Sequence, residues 1–301
     1  MGTVGKVSII IIILVLAALA GGVYYKSYTG QNNTAKTGRN TLIVVTFPSL
    51  VSDVKQLTCS LETVKSIVPP GVDPHNYQLT PRDAELVKEA SLIVSTGHTP
   101  FESKIRDIVN RNETRAVLIE IPEIPGIKIM NNPVTGKPNY HMPIMDPQNY
   151  LVFIKYLATQ LNKIDPQCSD THNQRLMSVE REVDSLLKYE GKFNETVVAS
   201  DPTVQYQVSW LGLRVKYLFI VEHGTPASFE ELSKISQALV SGEVHCIVVS
   251  SSASQQLQKL IKSMSTKEGM VKIVYVPGPL AEGSIPSKLN MTISNIENCT
   301  G

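Results

Sequence analysis

Two histidines stand where this chain could do chemistry. His75 sits in the run Val68 to Val87, V-P-P-G-V-D-P-H-N-Y-Q-L-T-P-R-D-A-E-L-V. Pro69, Pro70 and Pro74 fix their own backbone angles and Gly71 frees the turn between them, so the loop holds its imidazole stiffly. Neutral imidazole is the commonest protein ligand for a metal ion, which makes a bound metal the first chemistry to consider. His141 lies in a second proline-rich stretch, with Pro122, Pro125, Pro133, Pro138, Pro143 and Pro147 around it. Asp73 and Asp146 lie close to the two histidines in sequence, where carboxylates can orient ligating imidazoles from behind. The competing role for both is turn or helix capping, because Asp-Pro pairs start turns. Asp201 directly follows an apolar run and is the third candidate.

Elements must bring these residues together. Short apolar runs at Thr41–Thr46, Thr63–Val68, Ser91–Ser95 and Ala116–Ile121 alternate with helical patterns near 50–57, 81–90 and 100–110. Continuous apolar strands between helices predict a parallel sheet covered on both faces. Residues 122–147 are irregular, and a loop of that length in a compact domain is usually functional or disordered. Helices follow at about 148–162 and 169–189. The second is amphipathic through Leu176, Val179, Val183, Leu186 and Leu187. The alternation then restarts, with strands at 196–200, 215–220, 245–250 and 271–276 and helices near 202–211, 228–241, 253–265 and 286–297. The expected fold is α/β: two Rossmann-like β/α lobes joined by one long α-helix and preceded by an N-terminal transmembrane helix. The boundaries are a cytoplasmic N-terminus 1–6, an anchor 7–25, a linker 26–40, lobes at 41–165 and 191–301, and a connecting helix at 166–190. Ligands of open α/β sheets bind beyond the carboxyl ends of the strands, which places His75, His141 and Asp201 at one cleft.

Composition narrows the classes. Of 301 residues, 42% are hydrophobic and 18% charged, a globular balance. Lys+Arg total 28 against Asp+Glu 27, with no basic run, so nucleic-acid binding is not expected. Val7 to Tyr25 carries no charge, and such a helix is about 28 Å long, close to a bilayer's hydrocarbon thickness. Lys6 before it favours the bulk of the chain outside the cytoplasm. A cleaved signal peptide ending near Ala18-Leu19-Ala20 is the rival, but the run is long and ends in Tyr24-Tyr25-Lys26, so a retained anchor is preferred. No cysteine lies near this segment, which excludes a lipid attached through an N-terminal cysteine. Sequons at Asn32, Asn112, Asn194, Asn290 and Asn298 fit an exported chain. Cys59, Cys168, Cys246 and Cys299 form no C-x-x-C pair; outside the cytoplasm their even number suggests disulfides in any of three connectivities. Nucleophile elbows, Walker loops and G-x-G-x-x-G are absent. Ser250-Ser251-Ser252 at a strand end reads as a helix cap.

Several segments carry a family resemblance. Pro69 to Asp83, P-P-G-V-D-P-H-N-Y-Q-L-T-P-R-D, is close to the hallmark loop of the extracytoplasmic substrate-binding proteins of ABC importers for zinc and manganese. Ala90 to Glu102, A-S-L-I-V-S-T-G-H-T-P-F-E, resembles that family's next strand and turn. Tyr140 to Asn149, Y-H-M-P-I-M-D-P-Q-N, resembles its D-P-H-x-W-x-D-P-x-N segment, with Pro143 in place of Trp and one extra residue. Glu222 to Leu232, E-H-G-T-P-A-S-F-E-E-L, resembles its E-P-S segment.

The resemblance implies a two-lobed, monomeric binding protein rather than an enzyme, outside the cell or in the periplasm, with metal between its lobes. Zn²⁺, ahead of Mn²⁺, is the implied cargo, and an ABC permease with its ATPase is the implied partner. It assigns the ligands to His75 and His141, with Asp201 in the place of a family His or Glu. The family's fourth position, an Asp, falls in Val276-Pro277-Gly278-Pro279-Leu280, which has no carboxylate. It also implies a Cys246–Cys299 disulfide and, secondarily, Cys59–Cys168. Two alternatives remain open: two histidines and a carboxylate also suit a catalytic zinc centre, hence a metallohydrolase, and a degenerate member could act as an adhesin or bind another ligand.

Overall fold

Hydrophobic runs set the architecture. In the computed structural model, which describes residues 40–222, 224–266 and 271–299, each apolar run forms a parallel strand. The first sheet holds β1 (Thr41–Val45), β2 (Glu62–Ser66), β3 (Leu92–Ser95) and β4 (Val117–Glu120) in the order β2-β1-β3-β4. Its central strands are buried on both faces, as parallel strands under helices must be. Three helices cross over between them: α1 (Leu50–Lys55), α2 (Pro81–Glu89) and α3 (Pro100–Asn110). Thr80 caps α2 and Thr99 caps α3, each in a reciprocal capping box with the acid three residues on and a proline at the first turn.

The second sheet holds β5 (Thr196–Ala199), β6 (Arg214–Leu218), β9 (Cys246–Ser250) and β10 (Lys272–Val276) in the order β10-β9-β5-β6. A small antiparallel pair, β7 (Ile220–Glu222) and β8 (Thr225–Pro226), follows β6. Each sheet is thus a four-stranded parallel array built by crossovers. In the first, the switch point lies between β1 and β3, where the crossovers diverge and a crevice opens; in the second it lies between β5 and β9.

The lobes are linked by a helical hairpin. α4 (Pro147–Ile164) and α5 (Ser169–Leu187) are joined through a 3₁₀ turn at Pro166–Cys168, and α5 is the helix that carries the chain onward. Asn162–Asn173 and Lys155–Glu180 contacts show the two helices running antiparallel. The second lobe adds α6 (Pro202–Ser209), α7 (Phe229–Val240), α8 (Gln255–Thr266) and α9 (Ile285–Ile296). One apolar cluster runs continuously from Ile43 in β1 through Phe153 and Val183 of the hairpin to Ile296 in α9. A polar node crosses the same seam. Asp53 of α1 accepts from the Ile285 amide at the start of α9 (2.9 Å) and from Tyr150 Oη of α4 (2.8 Å), next to buried Lys288.

Cys59 is bonded to Cys168 and Cys246 to Cys299. The apolar segment 7–25 lies outside the described residues, and among those described no helix is long and apolar enough to cross a membrane.

Candidate metal centre

The strands of both sheets point their carboxyl ends at one cavity of about 980 Å³. Phe47 follows β1, His75 follows β2, His98 follows β3 and His141 lies beyond β4. Asp201 follows β5, Ser250 ends β9 with Ser252 just beyond it, and Pro279 to Gly283 follow β10. Three of these residues converge. His75, His98 and His141 each offer a ring nitrogen within 4.8 Å of the others'.

His75 is carried by the 3₁₀ turn Pro74–Asn76, which Asp73 caps by accepting from the His75 amide. The same Asp73 oxygen lies 3.3 Å from His75 Nδ1, and its other oxygen takes Asn76 Nδ2 at 2.8 Å. Asp73 thus sits behind His75, at Nδ1, which leaves Nε2 to face the cavity.

His98 was not singled out from the sequence. It follows Gly97, whose φ of 73° turns the chain at the end of β3; a Cβ there would also come within 3.2 Å of Pro122. Glu102 holds this turn together. Its carboxylate is buried and accepts from the Thr96 amide (2.7 Å), the His98 amide (3.1 Å), the Thr99 amide (3.0 Å) and the hydroxyls of Ser95, Thr96 and Thr99. Burial pushes the Glu102 carboxyl up. Hydrogen bonds from Thr46 and Thr99 and the His98 imidazole outweigh it and hold it below the usual range. His98 itself is pushed down to about 4, mainly by burial and further by the neighbouring His141 and His75, against an opposing pull from Glu102. It is therefore neutral at pH 7, with a lone pair to give. Its Nε2 lies 3.2 Å from His75 Nε2. Two imidazole nitrogens on one tetrahedral zinc stand roughly 3.3 Å apart, so this pair already has the spacing of a ligand edge.

His141 comes from the long loop, and the loop is ordered because the second lobe grips it. Tyr206 Oη accepts from the Met130 amide (2.8 Å) and donates to Asn139 O (2.6 Å). Gln205 donates to Asn131 O, Asn139 donates to Pro202 O and Gln205, and Asn132 donates to Val221 O. Asn139 Oδ1 in turn takes the His141 amide (3.0 Å) and Nδ1 (3.1 Å), again leaving Nε2 for the cavity. Glu222 Oε2 stands 4.0 Å from the same Nδ1. The residue after His141, Met142, is buried in a left-handed conformation at φ 53°, which an L side chain adopts at some cost.

The remaining expected residues fall differently. Asp146, expected behind His141, caps α4 by accepting from the Gln148 and Asn149 amides, and burial raises its carboxyl; Asn139 and Glu222 stand at His141 in its place. Asp201 lines the cavity but is not gathered with the histidines. Its carboxylate caps α6 through the Thr203 amide (3.1 Å) and accepts from Ser200 Oγ (2.7 Å). His98 could have been found from its place just past a strand's carboxyl end, the same argument that singled out Asp201.

Comparison with known proteins agrees with this architecture. The family model described as "Zinc-uptake complex component A periplasmic" matches residues 43–298. Among curated relatives, the iron-binding protein YfeA of Yersinia pestis is 24% identical over 88% of this chain and 88% of its own. The manganese ABC transporter substrate-binding lipoprotein PsaA of Streptococcus mitis is 25% identical over 83% of this chain and 82% of its own. Among solved structures, a periplasmic metal binding protein from candidatus Liberibacter asiaticus superposes with a TM-score of 0.69 at 17% identity, covering 87% of this chain and 100% of that one. The chain belongs to the family of metal-binding substrate-binding proteins of ABC transporters.

Proposed function

We propose that this chain captures a divalent transition metal on His75, His98 and His141, outside the cytoplasm, and passes it to an ABC permease and its ATPase. The observation that carries the reading is the convergence of the three ring nitrogens at the strand ends. Each has its support: Asp73 behind His75, the Glu102-held turn beneath His98, and Asn139 behind His141. Three imidazoles with an open fourth position suit Zn²⁺ better than Mn²⁺, which favours oxygen ligands, so zinc is placed ahead of manganese. Water, or Asp201 after leaving its cap, completes the set. The curated relatives are transporter components, so the metal is cargo and the chain is not an enzyme. The segment Val7 to Tyr25 anchors the binding domain at the membrane surface.

Titration of the purified protein with Zn²⁺ and Mn²⁺ tests this. Tight Zn²⁺ binding is expected in the wild type, lost in His75→Ala, His98→Ala and His141→Ala. Failure of the wild type to bind either ion would sink the reading. Retention of full affinity by His98→Ala, with loss in Asp201→Ala, would move the third ligand to Asp201.

A further inference from the structure

A second constellation of metal-ligating side chains lies apart from the cleft, around the Cys59–Cys168 disulfide. Cys59, Glu62, Cys168 and His172 place one potential ligand atom each within 4.8 Å of all the others. In the chain they form two local pairs, C-x-x-E and C-x-x-x-H, with two and three residues between the members, separations that also occur between paired ligands of structural zinc sites. The fold supplies the geometry. Cys168 closes the 3₁₀ turn and caps α5, and His172 lies one helical turn on, on the same face. Cys59 and Glu62 bracket the turn that enters β2, tied by the Cys59 amide donating to Glu62 Oε2 at 2.7 Å. The side chains of Glu62 and His172 are fully buried, while Cys59 is partly exposed.

Orientation also fits. His172 Nδ1 meets Asn162 Oδ1 at 2.9 Å, and Asn162 is fixed in that sense because its own amide nitrogen donates to Asn173 Oδ1. This support fixes Nδ1–H, so Nε2 is the nitrogen turned toward Glu62, 3.0 and 3.1 Å from its two oxygens. The Leu61 amide lies 3.3 Å from Cys59 Sγ, a donor that would stabilise a thiolate there.

We propose that these four residues form a redox-gated site for a thiophilic divalent ion of the zinc class. In the oxidised chain, Glu62 and His172 pair with each other beside the disulfide. A dithiol reductant opens that bond by exchange, gives up two electrons and becomes a disulfide itself, leaving Cys59 and Cys168 as thiols. The entering ion displaces both thiol protons and the proton between Glu62 and His172 Nε2, which leave to solvent. It is then held by two sulfurs, one nitrogen and one oxygen.

The test uses the full chain carrying H75A, H98A and H141A, so that the cleft cannot contribute. The protein is reduced with a phosphine, freed of it without air, and titrated with Co²⁺. Thiolate-to-cobalt charge-transfer absorption saturating at one ion per chain is expected, absent from the oxidised chain and from a C59S/C168S variant that keeps Cys246 and Cys299. H172A should weaken the cobalt complex at least tenfold. Absorption that persists in C59S/C168S, no absorption after reduction, or a reduced chain that loses its far-UV circular dichroism and does not regain it with metal would each overturn the proposal.

Discussion

A ligand is recognised by what stands behind it as much as by its own side chain. His75 was legible because the surrounding proline-rich loop, with Asp73 two residues away, is unusual, and the contact Asp73 makes with Nδ1 is local. His141 was singled out by its place in the long proline-rich loop, but its supports, Asn139 and Glu222, come from that loop and from the other lobe and were not legible. His98 was passed over because Gly-His-Thr-Pro reads as an ordinary turn, although it stands just past the end of β3; the hydrogen bonds that tie Glu102 to that turn appear only in the structure. Asp201 and Asp146, singled out from the sequence for a part in the chemistry, are held in the structure as helix caps. Two expectations belong here. Asn139→Ala should weaken zinc binding roughly 10- to 100-fold in calorimetric titration, the usual cost of losing a group that orients a ligating imidazole. The second concerns pH. His98 is held near 4 in the fold, below the roughly 6.5 of an exposed histidine. Its neutral form is thus favoured by folding, so stability is intact above pH 6.5 and is lost as pH falls toward 4, by about 3 kcal/mol in all. His98→Gln should flatten that part of the metal-free stability curve, measured by denaturant unfolding at a series of pH values.

At the scale of elements, the strands and most helices were readable from apolar runs, caps and prolines because those signals are local. Thr80-Pro81 and Thr99-Pro100 begin helices where the sequence said they should. The loop between β4 and α4 was readable only as irregular. Its order comes from hydrogen bonds to Tyr206, Gln205 and Val221, partners remote in sequence. The β3–α3 turn is the element on which the centre depends most. Replacing Glu102 with Gln leaves fewer acceptors for its buried donors, and each orphaned donor costs about 1–3 kcal/mol. Glu102→Gln should therefore lower the melting temperature and weaken zinc binding together, whereas a substitution at exposed Glu85 on α2 should do neither.

For the whole molecule, the two-lobed plan followed from the alternation starting twice, and the structure answers with two four-stranded parallel sheets. The polar seam was not legible, since Asp53 and Lys288 are far apart in the chain and each alone looks like a surface residue. Asp53 is fully buried, and burial raises its carboxyl to about 6 against the hydrogen bonds from Ile285 and Tyr150 and the charge of Lys288. Lys288 is pushed down by the same burial and donates to Pro279 O at 2.9 Å. Removing one member of such a set strands the others. Asp53→Ala should cost about 3–5 kcal/mol in equilibrium unfolding, although it touches neither histidine cluster.

The grip of the second lobe on the His141 loop has a consequence for the chain as a polymer. A metal bridging His75, His98 and His141 would tie three distant points of the backbone into closed rings, a reversible cross-link added to the two covalent ones. An ion that binds the folded chain and not the unfolded one stabilises it by mass action, and the entropy cost of closing such rings grows only slowly with ring size. The loaded protein should then resist proteolytic nicking between residues 76 and 140 more than the empty one. Cargo would be legible to a protease as well as to a permease.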